Sequence, residues 1–322
     1  MQAMTVKSNS VVTIFGGDGF IGRHVVYLLA KTGAEIRVAS RNANQAAQLR
    51  PAGAVGQIVP VACNITRESN IRKVLDGSTH VINLVGLLYQ TGENTFDKVH
   101  AEAPAMIGRV ASEMGIKHLV HVSAIGASDD APSRYLRSKA AGETALWETF
   151  PKAVILRPSI VFGAGDGFFN LFASLARFAP VLPLIGGGET KFQPVYVEDV
   201  VAAIDKGLND PACAGQTYEL GGPRVATFKE CLELMMKESG QKRMLIPAPF
   251  SLCRIKARFL ELMPKPLLTQ DQVDSLTVDN VVSEDAKGFA DLEIQPAPME
   301  LILPQYLWRF RDGGRFNHKK AS

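Results

Sequence analysis

The sequence predicts an α/β chain organised on a doubly wound parallel sheet, with a smaller α/β region and an irregular tail towards the C-terminus. Three observations carry this. Short β-branched runs (residues 11–15, 36–39, 58–62, 81–86 and 119–123) alternate with stretches of helical period, the pattern of parallel strands joined by helical crossovers. The first run ends in a glycine turn, with helical periodicity directly behind it. From Leu245 onward, Pro247, Pro249, Pro264, Pro266, Pro296, Pro298 and Pro304 cut the chain into short pieces.

The glycine turn makes the sheet Rossmann-type. Gly16, Gly19 and Gly22 are spaced Gly-x-x-Gly-x-x-Gly behind Val11-Val12-Thr13-Ile14-Phe15, and Phe20 and Ile21 open the helix. Gly16 can take the positive φ of the turn, Gly19 lets a pyrophosphate approach the backbone, and Gly22 lets the helix pack closely. The helix N-terminus then offers unpaired N–H groups to phosphates. The alternative is a tight βα turn without a ligand.

The second strand ends in Ser40-Arg41. An acidic residue here would accept hydrogen bonds from a ribose 2′-hydroxyl, whereas a hydroxyl followed by a guanidinium suits a 2′-phosphate. NADP(H) is therefore favoured, with NAD(H) as the alternative. Glu35 lies at a suitable distance from the glycines but precedes the strand and is a decoy. The third strand runs into Cys63-Asn64-Ile65, where an adenine edge could meet Asn64. The fourth ends in Val85-Gly86, small enough for backbone to lie along the cofactor, and the fifth ends in Ser123. Helical spacing from Phe96 to Met114 stops at Gly115. Tyr135 and Lys139 then share one face of a helix running to about Phe150. An ammonium beside a phenol lowers the phenol pKa, the arrangement needed to move a proton during hydride transfer.

Composition excludes several classes. The 322 residues are 46% hydrophobic and 21% charged, as in ordinary globular chains. No apolar run approaches the roughly 18 residues of a membrane span. Residues 1–10 lack the apolar core of a secretory signal and the basic character of a mitochondrial presequence. Cys63, Cys213, Cys231 and Cys253 form no Cys-x-x-Cys pair and read as reduced core thiols; the six histidines have no metal-ligand spacing, and no metal is expected. The net charge of +3 is concentrated in two C-terminal stretches. One holds Arg254, Lys256, Arg258 and Lys265, the other Arg309, Arg311, Arg315, Lys319 and Lys320. An acidic partner or anionic membrane surface could be met there, but no recognition helix or stacking motif accompanies the charge, so nucleic acid is not expected. Leu252, Ile255, Phe259 and Leu262 form one apolar helix stripe. It either packs on the domain beneath or faces anionic lipid or another subunit.

Taken together, these motifs resemble the extended or atypical short-chain dehydrogenase/reductases over roughly residues 10–245. Leu156-Arg157-Pro158-Ser159-Ile160-Val161-Phe162-Gly163 is similar to the loop lining the nicotinamide end, which implies cofactor contacts from Pro158, Ser159 and Ile160. Residues 194–200 and 218–223 resemble later family segments, and Thr227-x-x-Glu230 opens a helix as a capping box. The resemblance makes Tyr135 and Lys139 the catalytic pair, vestigial or cofactor-contacting. It leaves Ser123 doubtful, because the substrate-holding hydroxyl position falls on Ala124 or Ile125. Losing one such donor costs on the order of 10²–10³ in rate.

Residues 133–139, 267–273, 278–282 and 306–314 further resemble the NADPH-binding accessory subunits of respiratory complex I, NADH:ubiquinone oxidoreductase. That resemblance implies a peripheral subunit on the cytoplasmic side of a bacterial inner membrane, equivalent to the mitochondrial matrix side. Its partners would be other complex I subunits and, through the basic C-terminal part, the anionic membrane surface. NADPH would be held for structural or regulatory purposes. A free NADP-dependent reductase, epimerase or dehydratase using Tyr135 and Lys139, or a nucleotide-sensing regulator, are the alternatives. The expected organisation is a dinucleotide-binding unit over residues 1–165 with strands contributed from later segments, a smaller substrate-type region over 166–265, and an extended partner-binding tail over 266–322 that depends partly on a partner for order.

Overall fold

The computed structural model describes residues 6–264 and 266–311. Lys265 and the end of the expected tail, including Gly313, Gly314, Arg315, Lys319 and Lys320, lie outside the described residues.

Seven strands form one sheet: β1 (Val11–Phe15), β2 (Glu35–Ser40), β3 (Ile58–Ala62), β4 (His80–Asn83), β5 (His118–Val122), β6 (Val154–Pro158) and β11 (Thr217–Leu220). The spatial order is β3-β2-β1-β4-β5-β6-β11, and every pairing is parallel. The order reverses beside β1, between β2 and β4, so the loops that leave their carboxyl ends splay apart into a crevice. Both faces of the sheet are covered, which explains near-continuous apolar strands such as Val12-Thr13-Ile14-Phe15, all buried. On one face pack α1 (Phe20–Ala30), α2 (Ala43–Ala47) and α7 (Val197–Asn209). On the other pack α3 (Glu68–Leu75), α4 (Ala103–Glu113) and α5 (Arg134–Thr149).

Two segments depart from their periodicity. The fourth strand, expected to reach Gly86, ends at Asn83, where the chain turns away from the sheet. The helix expected from Phe96 begins as a π-helical turn, Asp97–Glu102, before α4. Pro104 has no N–H to give the His100 carbonyl, which α5 approaches so closely that a Cβ at Gly142 would collide with it.

The C-terminal region pairs short strands: β7 (Val161–Phe162) with β10 (Val195–Tyr196), β8 (Val181–Ile185) with β13 (Met244–Ala248), and β9 (Lys191–Phe192) with β12 (Ala226–Thr227). They surround an aromatic nucleus of Phe162, Phe168, Phe169, Phe172, Phe192 and Phe228. Around it lie α6 (Phe169–Phe178), α8 (Phe228–Ser239), α9 (Phe250–Leu260), α10 (Gln270–Ser275) and α11 (Met299–Leu307). The Thr227–Glu230 capping box opens α8 as its sequence requires. Residues 266–311 are mostly irregular but anchored along their length. Val273, Met299, Leu303 and Leu307 enter the aromatic core, while Phe289 and Leu292 enter the core under the sheet. The apolar stripe does not pack on the domain beneath: α9 buries Cys253 and Ala257, while Leu252, Ile255 and Phe259, with Leu262 just past its end, face outward.

Three histidines are buried inside the sheet layers. Burial, with a neighbouring positive charge second, pushes His80 down to about 4, His121 to about 3 and His100 to about 2. Each is neutral in the folded chain, whereas the unfolded chain protonates them near 6.5. Their contribution is therefore complete above that value and is lost as pH falls towards the folded values. Lowering the pH from about 7 to about 5 is expected to reduce the unfolding free energy by up to about 2 kcal/mol per histidine. Denaturant midpoints across that range check this, and a flat profile would contradict it.

Candidate functional site

Gly16 adopts φ +76° and donates its N–H to Ala39 O at 3.0 Å, locking the turn onto the end of β2. A Cβ on Gly22 would lie 2.6 Å from Gly17 Cα and still closer to Gly16 O, so the first turn of α1 sits directly against the glycine loop. Gly19 is exposed and serves as the N-cap of α1; no side chain caps the helix and its first turn holds no acidic residue. The N-terminal amides are left for an outside acceptor, the geometry that binds phosphate. Phe20 lies edge-on to His24, and Ile21 packs on the core.

Beside the turn, Ser40 and Arg41 close β2. Arg41 lines a cavity of about 400 Å³ with Ala62, Cys63, Asn64, Thr66, Asn70, Glu93 and Asn94. Asn64 uses its carboxamide oxygen to hold Thr66 N and Oγ1, at 3.1 and 2.9 Å, and keeps its NH₂ group to donate. Ile65 is buried beneath it. Sequence reasoning missed Asp18, whose carboxylate accepts a 2.6 Å hydrogen bond from Ser40 Oγ.

At the other end of the crevice, Val85 and Gly86 form the loop after β4. Asn83 Oδ1 accepts from Val85 N at 3.2 Å, and His100 Nε2 accepts from Leu87 N at 2.8 Å. The other His100 nitrogen meets Ser138 Oγ on α5 at 2.9 Å, so this ring ties the β4 loop to the helix carrying the Tyr-Lys pair. A Cβ at Gly86 would lie 3.6 Å from Lys139 Nζ, so Gly86 leaves the ammonium accessible to the loop. Lys139 is buried, donates to Val122 O at 3.1 Å and is pushed down to about 8 by burial, opposed by Glu143 one turn away. Ser123 Oγ is buried with no hydrogen-bond partner among the described residues.

The expected lowering of the Tyr135 pKa does not occur. The phenol is pushed up to about 12, first by burial and then by the carboxylate of Asp271. Asp271, on α10, accepts from the Arg134 and Tyr135 amides at 2.6 and 3.1 Å and caps α5 together with Ser133, whose Oγ takes Leu136 N at 3.2 Å. The Lys139 ammonium is turned to Val122 O and does not lower the phenol. Asn280 bridges two loops: its Nδ2 donates to Ile125 O at 3.2 Å, and its Oδ1 accepts from Ser159 Oγ at 2.6 Å. Ser159 Oγ is thus held by Asn280, behind Pro158 at the end of β6 and before Ile160 at the edge of the second core. Ala124 and Ile125 offer no hydroxyl, and Ser128 is exposed in a turn with Asp130.

The residues present fit a dinucleotide. The glycine loop is a cradle that side chains would fill, the helix N-terminus is open to an anion, and the unpartnered Ser123 hydroxyl waits at the opposite end. A bound nicotinamide would supply hydride chemistry, for which Lys139 and Tyr135 would orient the ring and its ribose.

The model of the NAD dependent epimerase/dehydratase family matches residues 12–221. A protein of Arabidopsis thaliana, "NADH dehydrogenase (ubiquinone) 1 alpha subcomplex subunit 9, mitochondrial", is 37% identical over 95% of this chain and 79% of its own length. The Mus musculus protein of the same name is 34% identical over 94% and 81%. Among solved structures, an epimerase of Methanothermobacter thermautotrophicus superposes with a TM-score of 0.72 at 18% identity, covering 94% of this chain and 92% of that one.

Replacing Asp271 by Ala removes two amide partners of α5. A loss of about 1–2 kcal/mol in unfolding free energy is expected, together with a lower Tyr135 titration midpoint. Denaturant melts and phenolate absorbance, differenced against Tyr135→Phe, measure both. Unchanged stability would remove the capping role.

Proposed function

Because the chain belongs to the NAD dependent epimerase/dehydratase family, and within it to that of the NADH dehydrogenase (ubiquinone) 1 alpha subcomplex subunit 9 proteins, we propose that it is an accessory subunit of a membrane-bound NADH:quinone oxidoreductase, respiratory complex I, and that it holds NADPH without turning it over. The observation that carries this is an asymmetry along the crevice. The phosphate end is open, while the carbonyl end is bridged by Asn280 and Asp271 and lacks a substrate hydroxyl at Ala124 and Ile125.

In this reading Gly16, Gly19, Phe20, Ile21 and Gly22 cradle the pyrophosphate, Ser40 and Arg41 meet the 2′-phosphate, and Asn64 and Ile65 hold the adenine. Val85, Gly86, Ser123, Tyr135, Lys139, Pro158, Ser159 and Ile160 surround the nicotinamide end. The partners are other subunits of the complex. Exposed Leu252, Ile255 and Phe259 on α9, Leu262 just past it, and Met244 and Ile246 on β13 supply an apolar face for them. Lys256 and Arg258 beside that face suit an anionic membrane surface. The place proposed with it is peripheral, on the cytoplasmic side of a bacterial inner membrane; among the described residues no helix is long and apolar enough to cross a membrane. A second reading, a free reductase or epimerase, rests on Tyr135 and Lys139 sharing one face of α5.

The test is affinity capture of the full chain from gently solubilised membranes, followed by spectroscopy of the nucleotide it releases. Recovery of quinone reductase subunits together with bound NADPH is expected. Capture of the chain alone, with rapid oxidation of NADPH by a simple carbonyl that Tyr135→Phe abolishes, would replace this reading with the second.

A further inference from the structure

We propose that Asp18 is a specificity-determining residue of the cradle, holding a carboxylate where the 2′-phosphate of the adenosine ribose would come and so opposing the pull of Arg41. The inference deepens the reading of the crevice as a dinucleotide site and rests on it.

In a βαβ cradle, the end of the second strand meets the ribose: an acidic side chain there accepts the 2′-hydroxyl, and a guanidinium receives a 2′-phosphate. This chain has no acid at that end, and Glu35 at the start of β2 is paired with Arg37 at 2.8 Å. The carboxylate comes instead from the glycine turn. Asp18 Oδ2 lies 2.6 Å from Ser40 Oγ, and the same oxygen of Ser40 accepts from Asn42 N at 3.1 Å. Ser40 is buried, and its single proton is committed to Asp18. The serine therefore has no proton to give a phosphate unless the pair opens.

The neighbouring residue acts in the opposite sense. Arg41 is exposed, lines the cavity that leads to Asn64, and has no ion-pair partner among the described residues. Its guanidinium attracts a phosphate, while Asp18 on the far side of Ser40 repels it. A ribose 2′-hydroxyl has a different balance: it can donate to the carboxylate and gains little from the guanidinium. The two charged side chains thus set the choice between the phosphorylated and unphosphorylated dinucleotide, and Asp18 is the residue that restrains the former.

The experiment titrates the full chain, Asp18→Asn and Arg41→Ala with NADPH and with NADH, following the fluorescence of the reduced nicotinamide. Thermal melts of each variant check that the turn survives. Asp18→Asn keeps an acceptor for Ser40 and removes only the charge. Its affinity for NADPH is expected to rise about tenfold or more, with NADH changing by less than about threefold. Arg41→Ala should lose NADPH affinity selectively. If the unaltered chain binds NADPH and Asp18→Asn binds it no more tightly, or gains equally for both nucleotides, the inference is overturned while the cradle stands. If the unaltered chain takes NADH alone and Asp18→Asn acquires NADPH, the inference holds and the NADPH assignment falls. Binding of neither nucleotide to any of the three chains rejects both.

Discussion

The contact on which the structure depends is the one between Gly22 and the backbone of Gly16 and Gly17. With no Cβ at Gly22, the first turn of α1 rests on the loop that ends β1. That approach aims the uncapped amides of α1 into the crevice and keeps them within reach of the ends of β2 and β4. The fit extends sideways: a Cβ on Gly16 would meet Val85 Cγ2 at 3.3 Å, so the loop after β4 is seated against the same turn. One close backbone approach thus fixes the loops at the two ends of the crevice relative to each other. A side chain at residue 22 would push the helix away and disturb both.

At the chemical end, the C-terminal segment changes what an inherited pair of side chains can do. Tyr135 and Lys139 keep their helical spacing, but the ammonium is turned to Val122 O and a carboxylate from α10 stands at the helix N-terminus. Asp271 stabilises α5 by capping it and at the same time disfavours phenolate. With the phenol pushed up to about 12, Tyr135 is held in its neutral form at neutral pH. A neutral phenol can donate a hydrogen bond, whereas only the phenolate can accept a proton. Capping of the helix and part of the upward push on the phenol come from the same carboxylate.

What the sequence made legible was local. Apolar strands buried on two faces, a glycine trio between strand and helix, and a Thr-x-x-Glu box each follow from residues within one or two turns of chain, and the structure has all of them. Their alternation with helices gave a parallel sheet covered on both faces, while the order of its seven strands was visible only in the structure. What stayed hidden was long-range. Asp271 and Asn280 lie in segments that carry the family resemblance, but they reach residues 136 to 155 positions earlier, and no local pattern says which residues they would hold. The Asp18–Ser40 pair spans 22 residues and needed the turn to be built before the carboxylate could be placed. The π-helical turn before α4 came from packing of Gly142 against His100 O and from Pro104, a combination no periodicity encodes.

Helix α9 shows the same limit from the outside. Its 3-4-3 apolar stripe would, in an isolated domain, be the buried face. Here the small residues Cys253 and Ala257 make the inner contact, and Phe259 and Leu262 are 67% and 83% exposed. Covering large side chains of this kind yields about 1.5–3 kcal/mol each, so the orientation leaves a substantial driving force for association unused. The face is also joined to the crevice. Arg254 on α9 is 2.7 Å from Asp274 on α10, and Asp271, three residues earlier on α10, holds the amides of Arg134 and Tyr135. Anything seated on α9 would bear on the short helix that caps α5, because one ion pair and two amide hydrogen bonds on a single helix of six residues join that face to Tyr135.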